Sequence, residues 1–187
     1  IWYGTNATGG TSSLTAPTPS SLTAGQTNYY VSQKNNSTLC ESPRKAIIVT
    51  INPLPVSPTV SNVTYCQNAT TVALTATALA NHTLLWYGTN AAGGTSSVNA
   101  PTPTSTTAGS VAYYVSQRSN TTSCESSRAS ISVVVNASPA IPATSAVSYC
   151  NNATATALAA TALSGHTLLW YGTSAAGGSS TLSAPTP

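Results

Sequence analysis

Apolar and polar residues alternate over short runs bounded by Gly, Pro, Asn and Ser, and no window shows the three-to-four spacing of an amphipathic helix. In the middle of the chain this pattern predicts strands at residues 60–65, 72–79, 83–88, 95–98, 111–118 and 129–136, with a short one in 102–107. Period-two alternation sorts their faces. Val72, Leu74, Ala76 and Ala78 turn inward on the second strand, Leu84 and Trp86 on the third, Tyr113 and Val115 on the sixth, and Ile131, Val133 and Val135 on the last. Six or seven short strands in so small a span predict an all-β sandwich with Trp86 anchoring its core.

The same pattern recurs. Trp2-Tyr3-Gly4-Thr5, Trp86-Tyr87-Gly88-Thr89 and Trp170-Tyr171-Gly172-Thr173 are one motif repeated every 84 positions, and Cys40 and Cys124, Cys66 and Cys150, Glu41 and Glu125, Arg44 and Arg128, and His82 and His166 keep that spacing. Trp2 and Trp170 are therefore core positions like Trp86. The 187 residues amount to two periods plus 19, so the chain reads as a window on a tandem array. Residues 1–55 are the C-terminal part of one repeat, 56–139 a complete repeat, and 140–187 the N-terminal part of a further one. Neither part is expected to close a core alone. The period exceeds that of solenoid repeats and matches a small independent domain. Pro53, Pro55 and Pro58, with Pro139 and Pro142 one period later, predict semi-rigid junctions between such domains.

Two local signals agree with a sandwich. Asn90-Ala91-Ala92-Gly93-Gly94 breaks the chain after the tryptophan strand, where a tight turn needs positive φ. Ala108-Gly109 precedes Tyr113-Tyr114, and a turn followed by a tyrosine in the penultimate strand matches the tyrosine corner of immunoglobulin-like sandwiches, with Tyr113 chosen for that role.

Composition changes the picture by what it lacks. The chain has five Lys or Arg and two acidic residues, both Glu, for a net charge of +3, and contains no Asp, Phe or Met. Soluble domains carry about a quarter charged residues, so hydroxyls and amides must keep this surface hydrated, as suits a secreted protein. Lys34, Arg44, Lys45, Arg118 and Arg128 form no run or stripe, too little for nucleic acid. No apolar stretch approaches the 18 residues of a membrane span, so no membrane insertion is expected in these residues.

Candidate chemistry is sparse. His82 and His166 sit in the turn before the tryptophan strand and read as turn residues. With no Asp, a Ser-His-Asp or paired-carboxylate site would need the single Glu of each repeat. Glu125 reads as a surface partner of Arg128, three residues on. No enzyme activity and no cofactor is expected. Calcium would need several carboxylate oxygens. Zinc would need close cysteine pairs, which the Cys spacings of 26, 58 and 26 do not offer. Asn-X-Ser/Thr sequons at Asn6, Asn35, Asn36, Asn62, Asn68, Asn81, Asn120, Asn136 and Asn152, and the Thr-rich run near Pro101, leave glycosylation open.

The motif Tyr65-Cys66-Gln67-Asn68-Ala69-Thr70, then Val72-Ala73-Leu74-Thr75-Ala76, Leu85-Trp86-Tyr87, Gly93-Gly94, Ala100-Pro101-Thr102-Pro103, Tyr113-Tyr114-Val115-Ser116 and Cys124-Glu125-Ser126-Ser127-Arg128 resembles the immunoglobulin-like repeats of very large surface proteins in gliding and other Bacteroidota. The resemblance implies tandem immunoglobulin-like sandwiches in an exported, extracellular protein at the cell surface, with no catalytic residue. Its pattern of one Cys before the second strand and one before the last favours a Cys66–Cys124 bridge in each repeat, leaving Cys40 and Cys150 to partners outside these residues. The alternative joins Cys40 to Cys66 and Cys124 to Cys150 across the junctions. Spacing permits both.

Three functions fit. The first is a stalk or adhesive array whose partners are its own neighbouring repeats and surface glycans, bound weakly and many times over. The second is a filament in which copies of the chain complete one another's strands. The third is a spacer within a large secreted enzyme.

Overall fold

The computed structural model describes residues 1–187, which form two compact units, Ile1–Asn136 and Ala137–Pro187. The first contains β1 (Gly25–Val31), β2 (Lys45–Ile51), β3 (Thr59–Val60), β4 (Val63–Cys66), β5 (Ala76–Thr77), β6 (His82–Trp86), β7 (Gly109–Ser119) and β8 (Ala129–Asn136). The second contains the short antiparallel pair β9 (Ala143–Thr144) and β10 (Ala160–Thr161).

The complete repeat is built on a four-stranded sheet in the order β4-β8-β7-β6. Its centre is β7, rich in the β-branched and aromatic residues that favour a pleated, half-buried surface. It pairs antiparallel with β6, Trp86 facing Val115, and with β8, Tyr113 facing Ile131. On the far edge β4 runs parallel to β8, with Val63 opposite Val133 and Cys66 opposite Asn136. Leu74, Trp86, Val115, Ile131 and Val133 form the core, with Val60, Ala76, Ala100 and the half-buried Tyr113 among the residues packed against it. The first half-repeat carries the same hairpin one period earlier: β1 pairs β2 from Gly25–Ile51 to Val31–Lys45, as β7 pairs β8 from Gly109–Val135 to Val115–Ala129. In that hairpin Ile47 and Ile48 are exposed, whereas Ile131, the counterpart of Ile47, is fully buried. Trp2 and Trp170 are only half-buried, against 4% exposure for Trp86.

Several predicted strands take another form. The strand expected at 60–65 is cut in two: β3 pairs with β5, and the chain then crosses to β8. At the crossing the Asn62 side-chain oxygen accepts the Ser132 amide at 2.8 Å. The strands expected at 72–79 and 102–107 run beside each other without forming a ladder. Pro101 and Pro103 have no N–H to donate and take part only through their carbonyls, which accept from the Leu74 amide at 2.9 Å and the Thr71 hydroxyl at 2.7 Å. Val72 lies ahead of the regular part, and at 66% exposure it is not the inward residue that alternation predicts. Residues 95–98 contribute a single bridge, Ser97 exchanging both backbone hydrogen bonds with Trp86 at 2.7 and 2.8 Å. The tyrosine hydroxyl that ties back to the backbone is that of Tyr65, which accepts from the Val72 amide at 3.4 Å, rather than that of Tyr113. Tyr149, its counterpart, accepts from the Thr156 amide at 3.2 Å.

Two polar side chains, Ser116 and Gln117, lie wholly inside. Gln117 is on the core face of β7, where its side-chain oxygen accepts the Leu79 amide and its side-chain nitrogen donates to the Val56 carbonyl, each at 2.7 Å. Both polar ends are satisfied, which removes the cost of burying an amide and ties the start of the repeat to its central strand. Ile131→Ala will destabilise the chain by about 2–5 kcal/mol in urea unfolding, while Val72→Ala, at an exposed position, will change it by no more than about 0.5 kcal/mol.

Candidate functional site

The only carboxylate of the complete repeat sits in a cluster that β6, β7 and the loop before β8 assemble. The Tyr87 hydroxyl and the Ser116 hydroxyl each donate to Glu125 at 2.5 Å. Arg128 does not pair with Glu125 as sequence spacing suggests. Its guanidinium lies 3.3 Å from the centroid of the Tyr87 ring and donates to the carbonyls of Asn90 at 2.6 Å and Gly93 at 2.8 Å. Arg128 thereby fastens the glycine-rich turn to the tyrosine, through a planar cation that can stack and donate at once. Asn90 adds a side-chain bond to the Tyr87 carbonyl at 3.1 Å.

The first half-repeat holds the same cluster. Ser32 donates to Glu41 at 2.5 Å, Tyr3 donates to the same oxygen, and Arg44 lies 3.3 Å from the Tyr3 centroid while donating to the Asn6 carbonyl at 2.7 Å. Tyr3 and Tyr87 are each only 8% exposed. Two copies that share the Tyr and Ser bonds to Glu, the Arg stacking and the Arg bond to the Asn carbonyl mark a structural fastener of the repeat.

Its electrostatics follow from the bonds. At Glu125 partial burial opposes ionisation, but the hydrogen bonds from Ser116 and Tyr87 and the fields of Arg128 and Arg118 outweigh it and hold the pKa below the ordinary carboxylate value. Glu41 is lowered by its bond from Ser32 and then by that from Tyr3. A carboxylate held ionised by two hydroxyl donors on one oxygen is a poor proton acceptor at neutral pH.

The remaining candidates are placed as follows. His82 and His166 bond their Nδ1 atoms to the turn carbonyls of Ala80 at 2.8 Å and Ser164 at 2.9 Å. The residue before each histidine has positive φ, 58° at Asn81 and 75° at Gly165, a conformation those two residue types tolerate best. No three His, Cys, Asp or Glu side chains come together.

All four cysteines are free thiols, Cys40, Cys66 and Cys150 exposed and Cys124 half-buried. The topology accounts for the pair expected within a repeat. Cys66 lies beside Asn136 at the C-terminal end of β8, whereas Cys124 lies in the loop ahead of Ala129, its carbonyl bonded to the Ser119 amide at 2.9 Å. The eight residues of β8 separate them, about 20 Å or more at strand rise. A disulfide needs Cα atoms within about 7 Å. The Cys66–Cys124 bridge is therefore out of reach in this fold.

Sequence reasoning passed over Gln117, Ser116 and the tyrosine of the Trp-Tyr motif. The signal was present, because Tyr-Tyr-Val-Ser-Gln recurs unchanged at 29–33 and 113–117. Strand alternation gives no reason for a glutamine on the core face, and only the neighbouring Leu79 and Val56 backbone groups explain it.

A depressed folded-state pKa gives stability that is present above the unfolded value, about 4.3 for Glu, and is lost as pH falls through the folded value. The urea midpoint should therefore drop on acidification, and Glu125→Gln should lower it at neutral pH and flatten the drop. An unaltered acid profile in the variant would mean that Glu125 does not stabilise the repeat.

A search of characterised proteins returned no match. The family model described as "Ig-like domain CHU_C associated" matches residues 1–53 and 55–137, two consecutive copies that together cover more than half of the chain. On this match, on the sheet order and on the repeated period, the chain belongs to the CHU_C-associated Ig-like domain family.

Proposed function

We propose that this chain is a non-enzymatic extracellular repeat array that forms the stalk or shaft of a bacterial surface adhesin. The observation that carries this reading is the path of the chain through the complete repeat. It comes in at Val56, held by Gln117, and leaves past Asn136, whose carbonyl accepts the Gln67 amide at 2.8 Å at the other end of the sheet. A repeat with its two connections at opposite ends adds length with each copy. The fastener of Tyr87, Glu125 and Arg128 supports the same reading, since two of the three charged residues of the repeat serve to hold strands and a turn together. The family match supports a structural immunoglobulin-like repeat in a surface protein. An uncharged, hydroxyl-rich exterior suits weak, repeated contact with glycans.

Strand exchange between copies is the second reading, and one observation favours it. Leu169 and Tyr171 in the second unit are 53% and 44% exposed, while their counterparts Leu85 and Tyr87 are 5% and 8% exposed. A concavity of about 250 Å³ near them is lined by Pro142, Leu163 and His166 among others. A copy of the chain could cover these residues with its β1–β2 hairpin. It ranks second because the duplicated strand competes: Ile1 and Tyr3 already bond to Ser32 and Tyr30 of that hairpin, at 2.9 and 3.0 Å.

Brief protease treatment of intact cells that produce the protein should remove the array from the surface. Protection until lysis would overturn the stalk reading. Light scattering of the purified chain should give a monomer mass at every concentration, and concentration-dependent chains of copies would favour strand exchange.

A further inference from the structure

We infer that the second tyrosine of each Tyr-Tyr-Val-Ser-Gln motif, Tyr114 in the complete repeat and Tyr30 in the partial repeat before it, is a contact ring for neutral glycans on the outer face of the sheet. The inference rests on the adhesin reading and deepens it, because it names where a repeat holds a surface polysaccharide.

The fold has a use for every other member of the motif. In the complete repeat Tyr113 packs against the core, Val115 fills it, Ser116 donates to Glu125, and Gln117 holds Leu79 and Val56. Tyr114 does none of these. Strand alternation turns it away from the core, onto the face that carries Ser116, and its hydroxyl has no partner in the protein. A β-branched residue would serve the sheet equally well at that position.

Small residues border the ring. The Tyr114 amide donates to the Gly88 carbonyl at 2.8 Å on one side, and Ser130 stands opposite it on β8. Ala112 is the next residue along the same face of β7. These three positions carry nothing larger than a serine, and the ring stands half-exposed. The first half-repeat has the same arrangement: Tyr30 donates to the Gly4 carbonyl at 2.9 Å, faces Ala46 and is half-exposed.

The groups around Tyr114 select the ligand. Ser130 is exposed, and the Ser110 and Ser132 hydroxyls meet at 3.3 Å further along the same face. The nearest charges are already engaged, Glu125 by Tyr87 and Ser116, and Arg128 by the Tyr87 ring and two carbonyls. Arg118 lies four residues further along β7, roughly 13 Å at strand rise. A ring bordered by hydroxyls, with no free charge beside it, suits a pyranose. The C–H face of the sugar is slightly positive and is drawn to the negative face of the ring, while its hydroxyls exchange hydrogen bonds with the serines. A phosphate or a uronic acid would find no counter-charge there. One ring holds a sugar weakly, but one ring per repeat lets a polymer engage several at once.

Biolayer interferometry of the full chain tests this on an immobilised β-1,3-glucan, a dextran and a mannan, with alginate as the anionic counterpart. The chain should bind at least one of the neutral polymers, and concentrated NaCl should leave that binding in place. Tyr30→Thr with Tyr114→Thr, which removes both rings but keeps strand-forming side chains, should weaken it by about tenfold. Tyr30→Phe with Tyr114→Phe keeps the rings and should retain most of it, so a loss shared by both variants would count against stacking. Undiminished binding by the Thr variant, tighter binding to alginate than to every neutral polymer, or binding to none of the four would each overturn the site. Those outcomes leave the shaft reading intact, since it falls only if the array on intact cells is protected from protease.

Discussion

Strand β7 is hydrogen-bonded along both edges, to β6 and to β8, and its Val115, Ser116 and Gln117 are wholly buried. Those three consecutive residues serve three different ends. Val115 fills the core under Trp86, Ser116 donates to Glu125 on the opposite face, and Gln117 holds the start of the repeat and the turn before β6. A strand buried on both faces cannot be replaced by solvent on either, so the repeat closes only when the strands before β7 and the strand after it are both present. Outside the complete repeat the buried side chains are few, Tyr3 and Ser32, and both belong to the Glu41 cluster.

That dependence explains how so few charged residues suffice. The complete repeat does not use ion pairs to orient its loops. One carboxylate collects two hydroxyl donors, and one guanidinium stacks on the tyrosine while bonding two turn carbonyls. Hydrogen bonds to charged groups are stronger than neutral ones, and here each charge is used once, at the join between the tryptophan strand, its glycine-rich turn and the loop ahead of β8. The bonds recur at Tyr3, Glu41 and Arg44, so the fastener belongs to the repeat and not to its neighbours.

Much of the fold was legible in the sequence because the repeat gives two views of each pattern. Alternation in residues 129–136 corresponds to β8 residue for residue, and Trp86 takes the core position assigned to it. What alternation could not show was partnership. Val72, Leu74, Ala76 and Ala78 look equivalent in sequence, but Val72 faces a segment whose prolines cannot donate, so no ladder forms there and it is left in water. The cysteines failed for a related reason. Spacing is blind to which end of a sheet a residue occupies, and the parallel pairing of β4 with β8, which puts Cys66 at the far end from Cys124, is not written in either strand. The fastener was half legible: the recurrence of Glu125 and Arg128 was plain, but spacing along the chain suggested that they meet each other, while the fold gives each to Tyr87.

With Glu125 turned onto hydroxyls and Arg128 onto a ring and carbonyls, the outer surface of the complete repeat presents mainly neutral hydroxyl and amide groups to solvent. Ionic strength acts on a protein by screening charge over a distance of about 8–10 Å in ordinary buffers, and a surface with almost no charge leaves it little to screen. Screening by salt therefore has little to act on at this surface, and its hydration depends on neutral groups that ionic strength leaves alone.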